Sequence, residues 1–367
     1  MSEKLAKPVA KSVQKAATPD GTAREYFVVD LEYTLVSEFT NYIYMRARKI
    51  DVIYGSDNKV YIQNFFASPY ITEPTWIEGT LSADGTTINV PTRQSFGTTT
   101  VTTNQGATNV DVCLVAYSGN TELSSITFTV DPDYGVLTCG DYLFMDAFLN
   151  GTDLGYLTQI YAPEFYPADN NILFEAPVDR QLTATGMLSG DISTTVTDYA
   201  SPGLGCHFIK GLYPAYPDSW IIAFYDDNAR DFIVQGQIID DDVVGFPDDG
   251  SFLNNTQITS AVITNSMNSA CTFTYGADDT YTQESGIYLM DLYYGSQGFD
   301  LTDLFTDIKL GVGTTGISSV TTEAKGEPVA TEYYDLSGRR VDAAAKGVTI
   351  RVDKYADGTS KAVKTIK

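Results

Sequence analysis

The alternation of apolar and polar positions is the strongest local signal in this chain. "KVYIQNFF" (residues 59–66) and "CHFIKGLY" (206–213) alternate large apolar with polar or smaller residues, the period of a strand that buries one face. "GTLSADGTTINV" (79–90) is two strand-like runs around Asp84-Gly85, a pair that accepts the positive φ angles of a tight hairpin. "TFTVDPDYGVLTCGDYLF" (127–144) reads as strand, Asp-Pro-Asp turn, strand, and "TFTYGADDTYTQESGIYL" (272–289) repeats that order. Leucine-rich helical periodicity is scarce.

These runs recur in order. "VYIQNFFASPYITEPTWIEGTLSADGTTINV" (60–90) lies on "HFIKGLYPAYPDSWIIAFYDDNARDFIV" (207–234), placing Trp76 on Trp220 with a shift of 144 residues. Further on, Phe128 falls on Phe273 and Met145 on Met290, both shifted by 145. Two separated blocks that keep nearly one offset predict a tandem duplication. The expected fold is therefore all-β: two copies of a ~145-residue β-sandwich or β-barrel-like domain. The predicted boundaries are residues 25–168 and 169–314, after a flexible basic tether at 1–24 and before a linker at 315–330 and a small β tail at 331–367.

Composition narrows the partners. A chain of 367 residues can bury full cores without metal or disulfide help. Its formal net charge of -24 excludes the basic stripes that neutralise phosphates, so nucleic acid is not an expected partner. Between residues 94 and 308 the only Lys or Arg side chains are Arg180, Lys210 and Arg230, which makes an acidic body with basic ends. No apolar run is long enough for a membrane-spanning helix, and no signal-peptide core is present, so the expectation is a mature exported chain.

The chemistry expected of such a chain is binding. Its single histidine, His207, falls on Val60 of the other copy, a position an apolar residue fills equally well, and no "GxSxG" elbow accompanies it. Cys113, Cys139, Cys206 and Cys271 have no equivalents between copies; they are either buried thiols or pairs, Cys113 with Cys139 and Cys206 with Cys271. Asp146 and Asp291 occupy matching places and read as structural carboxylates. Acidic loops supply hard oxygen ligands, and Asp226, Asp227, Asp240, Asp241 and Asp242 are the candidates for calcium, without the spacing of an EF-hand. Proline-flanked loops hold Tyr70, Tyr213 and Tyr216, the expected exposed rings of a binding site. Trp76 and Trp220 are further ligand candidates, though their matched places before an alternating strand suit core anchors.

"YYDLSGRRV" (333–341), "KGVTIRV" (346–352) and the final "DGTSKAVKTIK" (357–367) resemble the C-terminal sorting-type tails of secreted and surface proteins of the Bacteroidetes. The body, through "VYIQNF…WIEGT", is similar to uncharacterised secreted β-rich proteins of the same bacteria. The resemblance implies an extracellular or cell-surface location and brings no activity. The combined expectation is an exported binding or adhesion-type protein whose ligand is a glycan or a surface protein. The alternatives are a structural surface subunit and a glycoside hydrolase with unrecognised carboxylates.

Overall fold

A computed structural model describes residues 17–37, 40–66, 71, 74–103, 106–213, 216–226, 230–235, 237–245, 257–264, 271–276, 278–283, 287–293, 299–312, 329–334, 340–342, 348–354 and 360–366. The chain divides into two units, residues 1–313 and 314–367. All regular structure among the described residues is β, and no helix there is long and apolar enough to cross a membrane.

The first half of the larger unit holds β1 (Thr22–Ser37), β2 (Thr40–Tyr54), β3 (Lys59–Gln63), β4 (Trp76–Leu81), β5 (Thr87–Pro91), β6 (Ser95–Thr103), β7 (Gly106–Ser118), β8 (Thr121–Glu122), β9 (Ser125–Val130), β10 (Leu137–Thr138), β11 (Tyr142–Leu149) and β12 (Thr152–Pro167). Antiparallel pairing runs β1-β2-β3-β4-β5-β9-β10-β12 and returns to β1, a closed circuit of eight strands. An arm extends from β12 through β11 and β7 to β6, and β8 adds to β7. Closure removes the free edges of the main sheet, and eight strands enclose a space that side chains just fill. The filling includes Val28, Val52, Val60, Ile62, Ile77, Ile88, Phe128 and Phe165, all buried.

The second half holds β13 (Val178–Gly186), β14 (Gly190–Ser201), β15 (Cys206–Lys210), β16 (Trp220–Tyr225), β17 (Phe232–Val234), β18 (Gln237–Gly245), β19 (Gln257–Thr264), β20 (Cys271–Tyr275), β21 (Tyr281–Gln283), β22 (Ile287–Tyr293) and β23 (Phe299–Val312). Its circuit is β13-β14-β15-β16-β17-β20-β21-β23 and back to β13, with an arm through β22 and β19 to β18. Strand for strand this is the order of the first circuit. Registers match too: Val60 faces Gly79 where His207 faces Ala223, and Val52 faces Ile62 where Asp198 faces Ile209.

Turn chemistry follows the sequence. Gly85 has φ +72°, and Ser82 Oγ accepts the amides of Thr86 and Thr87, closing the β4–β5 hairpin. Asp131 Oδ1 accepts the amides of Asp133 and Tyr134, closing the Asp-Pro-Asp turn before Gly135. Asn228, the counterpart of Asp84, lies outside the described residues.

The outer faces of the two barrels meet in an aromatic layer. Phe27 of β1 stacks on Phe208 of β15 at 4.5 Å and meets Trp220 edge-on at 5.0 Å, while Phe174, from the connection between barrels, packs on both phenylalanines. Gln237, fully buried, accepts the Ile222 amide through Oε1 at 2.8 Å and donates from Nε2 to the Ile222 carbonyl at 2.5 Å. The smaller unit is one antiparallel sheet with the order β25 (Arg340–Val341), β24 (Ala330–Tyr334), β26 (Val348–Lys354), β27 (Ser360–Ile366).

Candidate functional site

A polar cleft of about 490 Å³ opens at the rim of the inter-barrel layer. Strand alternation puts Glu25 of β1 and Lys49 and Asp51 of β2 on the outside of the first barrel, since Tyr26, Ile50 and Val52 between them point into its core. The second barrel supplies Thr197 and Tyr199 of β14, Lys210 of β15 and Trp220 of β16. Trp220 and Tyr199 lie 5.8 Å apart at a 59° tilt and form an aromatic wall above Phe27.

Both lysines of the cleft are engaged. Lys49 Nζ is 2.7 Å from Glu25 Oε2 and sits over the Tyr199 ring at 5.4 Å; Lys210 Nζ is 2.8 Å from Asp218 Oδ1. Gln63 Oε1 accepts the Asp51 amide at 2.8 Å. Burial, and then the charge of Glu25, raise the Asp51 carboxyl against the pull of Lys49. The cleft thus combines two ring faces, a carboxylate, an amide and paired ammonium groups, with no thiol or imidazole among its lining residues. This is equipment for holding a polar ligand against a ring, and it contains no activated nucleophile.

The expected site residues separate. Trp220 lines the cleft, half-buried. Trp76, its counterpart on β4, is half-buried, does not line it, and its Nε1 is buried with no hydrogen-bond partner. Tyr213 is a correction: it is 2% exposed, because its ring packs into the second core, edge-on against Phe305 at 4.8 Å. Tyr216 is half-buried against the same core, so its proline loop does not present it as an open platform either. Tyr70 lies outside the described residues.

Of the calcium candidates, Asp227 lies outside the described residues and Asp226 is half-buried in the turn that leaves β16. Asp240, Asp241 and Asp242 are successive residues of β18, paired with Ala261, Ser260 and Thr259. Among the described residues no group of three or more metal-ligating side chains converges. Cys113, Cys139 and Cys206 are buried free thiols, and the side chain of Cys271 lies outside the described residues.

Two buried polar clusters escaped the reading of the sequence. At one end of the second barrel, Asp198 Oδ2 takes Arg180 Nε at 2.6 Å and Asp198 Oδ1 takes His207 Nδ1 at 2.8 Å, so His207 anchors a charge network where Val60 is merely apolar. His207 Nε2 is buried without a partner among Tyr225, Phe232 and Tyr281. Burial alone would raise the Asp198 carboxyl, but its bonds to His207 and Arg180 outweigh it and hold the group below the usual range. The available signal was scarcity: Arg180 and His207 are rare basic residues in an acidic stretch. On the first barrel's arm, burial and then the neighbouring Asp153 carboxylate push the Asp146 carboxyl up to about 7. Asp146 is 3% exposed, beside Asp153.

No family model matches this chain, and no curated protein or solved structure is significantly similar to it.

Proposed function

We propose that this is an exported, surface-associated binding protein whose ligand-binding site is the inter-barrel cleft, and that the ligand is a glycan. One observation carries the reading: Trp220 and Tyr199 form a partly exposed ring wall beside Asp51, Glu25 and Gln63. Aromatic rings stack against the C–H faces of a sugar, and adjacent carboxylate and amide oxygens accept its hydroxyls. The acidic lining favours neutral or amino sugars over anionic ones. Extracellular or cell-surface placement rests on the resemblance of residues 331–367 to sorting-type tails, with the four-stranded sheet of the smaller unit as its folded form.

The Asp146–Asp153 pair gives the hydrolase alternative no support, because glycosidic cleavage needs carboxyl groups about 5 to 10 Å apart across an open cleft. Asp146 and Asp153 are in contact, and Asp146 is covered. The test is a glycan-array screen of the full chain followed by titration calorimetry of any hit. Trp220→Ala and Asp51→Asn are expected to weaken binding at least tenfold, and Trp76→Ala to leave it unchanged. Silence across the array, or equal losses from both tryptophans, would overturn the assignment.

A further inference from the structure

The two barrel arms end in different kinds of strand. In the second barrel the arm ends at β18, whose sequence "QIIDDDVVG" carries three aspartates and whose Gln237 also pairs with Met45 of β2. In the first barrel the arm ends at β6, "SFGTTTVTT", and among the described residues β6 pairs only with β7, in register from Ser95–Cys113 to Thr103–Gly106. Among the described residues no strand pairs with its other edge. In an antiparallel ladder every second residue turns its N–H and C=O away from the existing partner, so roughly four residues of β6 present unpaired backbone groups outward. Thr98 and Thr100 are exposed.

The sequence of this edge carries neither the charges nor the proline that commonly protect one. Edge strands are kept apart by charge, proline or a covering loop. From Gln94 to Val110 the sequence contains no Asp, Glu, Lys, Arg or Pro, within a chain of net charge -24. Most surfaces of such a chain repel a second copy; an uncharged edge does not. The strand is also suited to pairing with itself. About a two-fold axis at Thr99, Thr98 lies opposite Thr100, Gly97 opposite Val101 and Phe96 opposite Thr102. Cross-strand Thr–Thr pairs are favourable, and a two-fold contact uses the same patch on both partners.

We propose that β6 is a self-association edge, through which two copies of this chain join antiparallel and extend the arm β12-β11-β7-β6 into one continuous eight-strand sheet. The β18 edge is excluded from the same reaction by its aspartate run. A single nine-residue edge buries less than the roughly 1,200–2,000 Å² of a standard stable interface, so the dimer is concentration-dependent.

Sedimentation velocity of the full 40.0 kDa chain over a wide concentration series tests this directly. The expected result is reversible dimerisation, weakened at least tenfold by Thr98→Asp/Thr100→Asp, which gives β6 the charges that β18 carries. Far-UV circular dichroism and the melting temperature of that variant should match the wild type. Independently, Thr98→Cys, Thr99→Cys and Thr100→Cys are each oxidised mildly; at least one should form an intermolecular disulfide much faster than Thr127→Cys, an exposed strand position in β9. A chain that stays monomeric up to roughly millimolar concentration overturns the proposal. So does a dimer that the aspartates leave intact, or crosslinking no faster at β6 than at Thr127.

Discussion

Asp198→Val probes the interior of the second barrel most sharply. The substitution leaves the Arg180 guanidinium and the His207 imidazole, 6% and 1% exposed, without the anion that both contact. Removing one partner of a buried ion pair costs about 3–5 kcal/mol, and here Asp279, whose Oδ2 is 3.7 Å from Arg180 Nη1, keeps the cost toward the lower end. At roughly 2–4 °C per kcal/mol for a barrel of this size, the transition should fall by about 6–20 °C. The triple variant Arg180→Met/Asp198→Val/His207→Val removes the whole network. The first barrel shows that the place accepts apolar groups, since Val52 and Val60 occupy the positions of Asp198 and His207. Replacing a buried ion cluster by apolar groups of similar volume is commonly neutral or stabilising, so the triple variant should be more stable than the single one. The depressed Asp198 carboxyl adds a pH signature. Its contribution is present above the unfolded carboxyl pKa of about 4 and is lost as pH falls through the lower folded value. The gap between wild type and Asp198→Val should hold from pH 7 to 5 and shrink below about pH 4. Urea unfolding and calorimetry of the full chain measure all three quantities. A single-variant cost under about 1 kcal/mol, or a triple variant no better than the single, would refute the assignment of an ion network with this energetic role.

Three further outcomes follow from burial and close packing. Burial raises the thiols of Cys113 and Cys139 to about 11 and of Cys206 to about 12, so a maleimide at pH 8 should leave all three unmodified until urea is added; peptide mapping of native adducts checks this. Gly79→Ala in β4 would set a Cβ 2.8 Å from Cγ2 of Ile88 and of Val90, and should cost about 1–3 kcal/mol in urea unfolding; no loss would mean that the first core is looser than described. The Asp146 carboxyl, raised to about 7, makes the folded state bind a proton that the unfolded state releases near pH 4, so stability should fall by up to about 1.4 kcal/mol per pH unit between 4 and 7 on its account. Asp146→Asn should flatten that slope and be the more stable protein at pH 8, and an unchanged slope would place the proton elsewhere.

Strand identity and turn chemistry were legible because each depends on a few neighbouring residues. The period of "KVYIQNFF" and the pair Asp84-Gly85 specify β3 and the β4–β5 hairpin without help from distant contacts. The choice between sandwich and barrel depended on whether β12 returns to β1 and β23 to β13, pairings about 120 to 140 residues apart that leave no mark in local periodicity. Exposure was misjudged at Tyr213 because proline-flanked aromatics look alike whether the ring projects or packs into a core. The Arg180–Asp198–His207 network was invisible for a related reason. Its members come from three adjacent strands and meet only when those strands align inside one barrel.

The tryptophans show why two barrels of like strand order need not carry like sites. Trp76 and Trp220 begin equivalent strands and face equivalent partners, Gln63 and Lys210. The barrels, however, meet through faces offset by one strand: the first uses the outside of β1 and β2 with Gln63 of β3, the second the outside of β14, β15 and β16, which correspond to β2, β3 and β4 of the first. An offset contact is not two-fold, because a two-fold contact would use the same face on both barrels. Asp51 and its own counterpart Thr197 therefore stand in the same cleft on opposite walls, each contributed by a different barrel. Trp220 lies on the face that is used. Trp76 lies on the corresponding face of the first barrel, and among the described residues it takes no part in the inter-barrel layer. The asymmetry expected between Trp220→Ala and Trp76→Ala is thus a consequence of how two like barrels are joined, and it would vanish if ligand recognition were a property of either barrel alone.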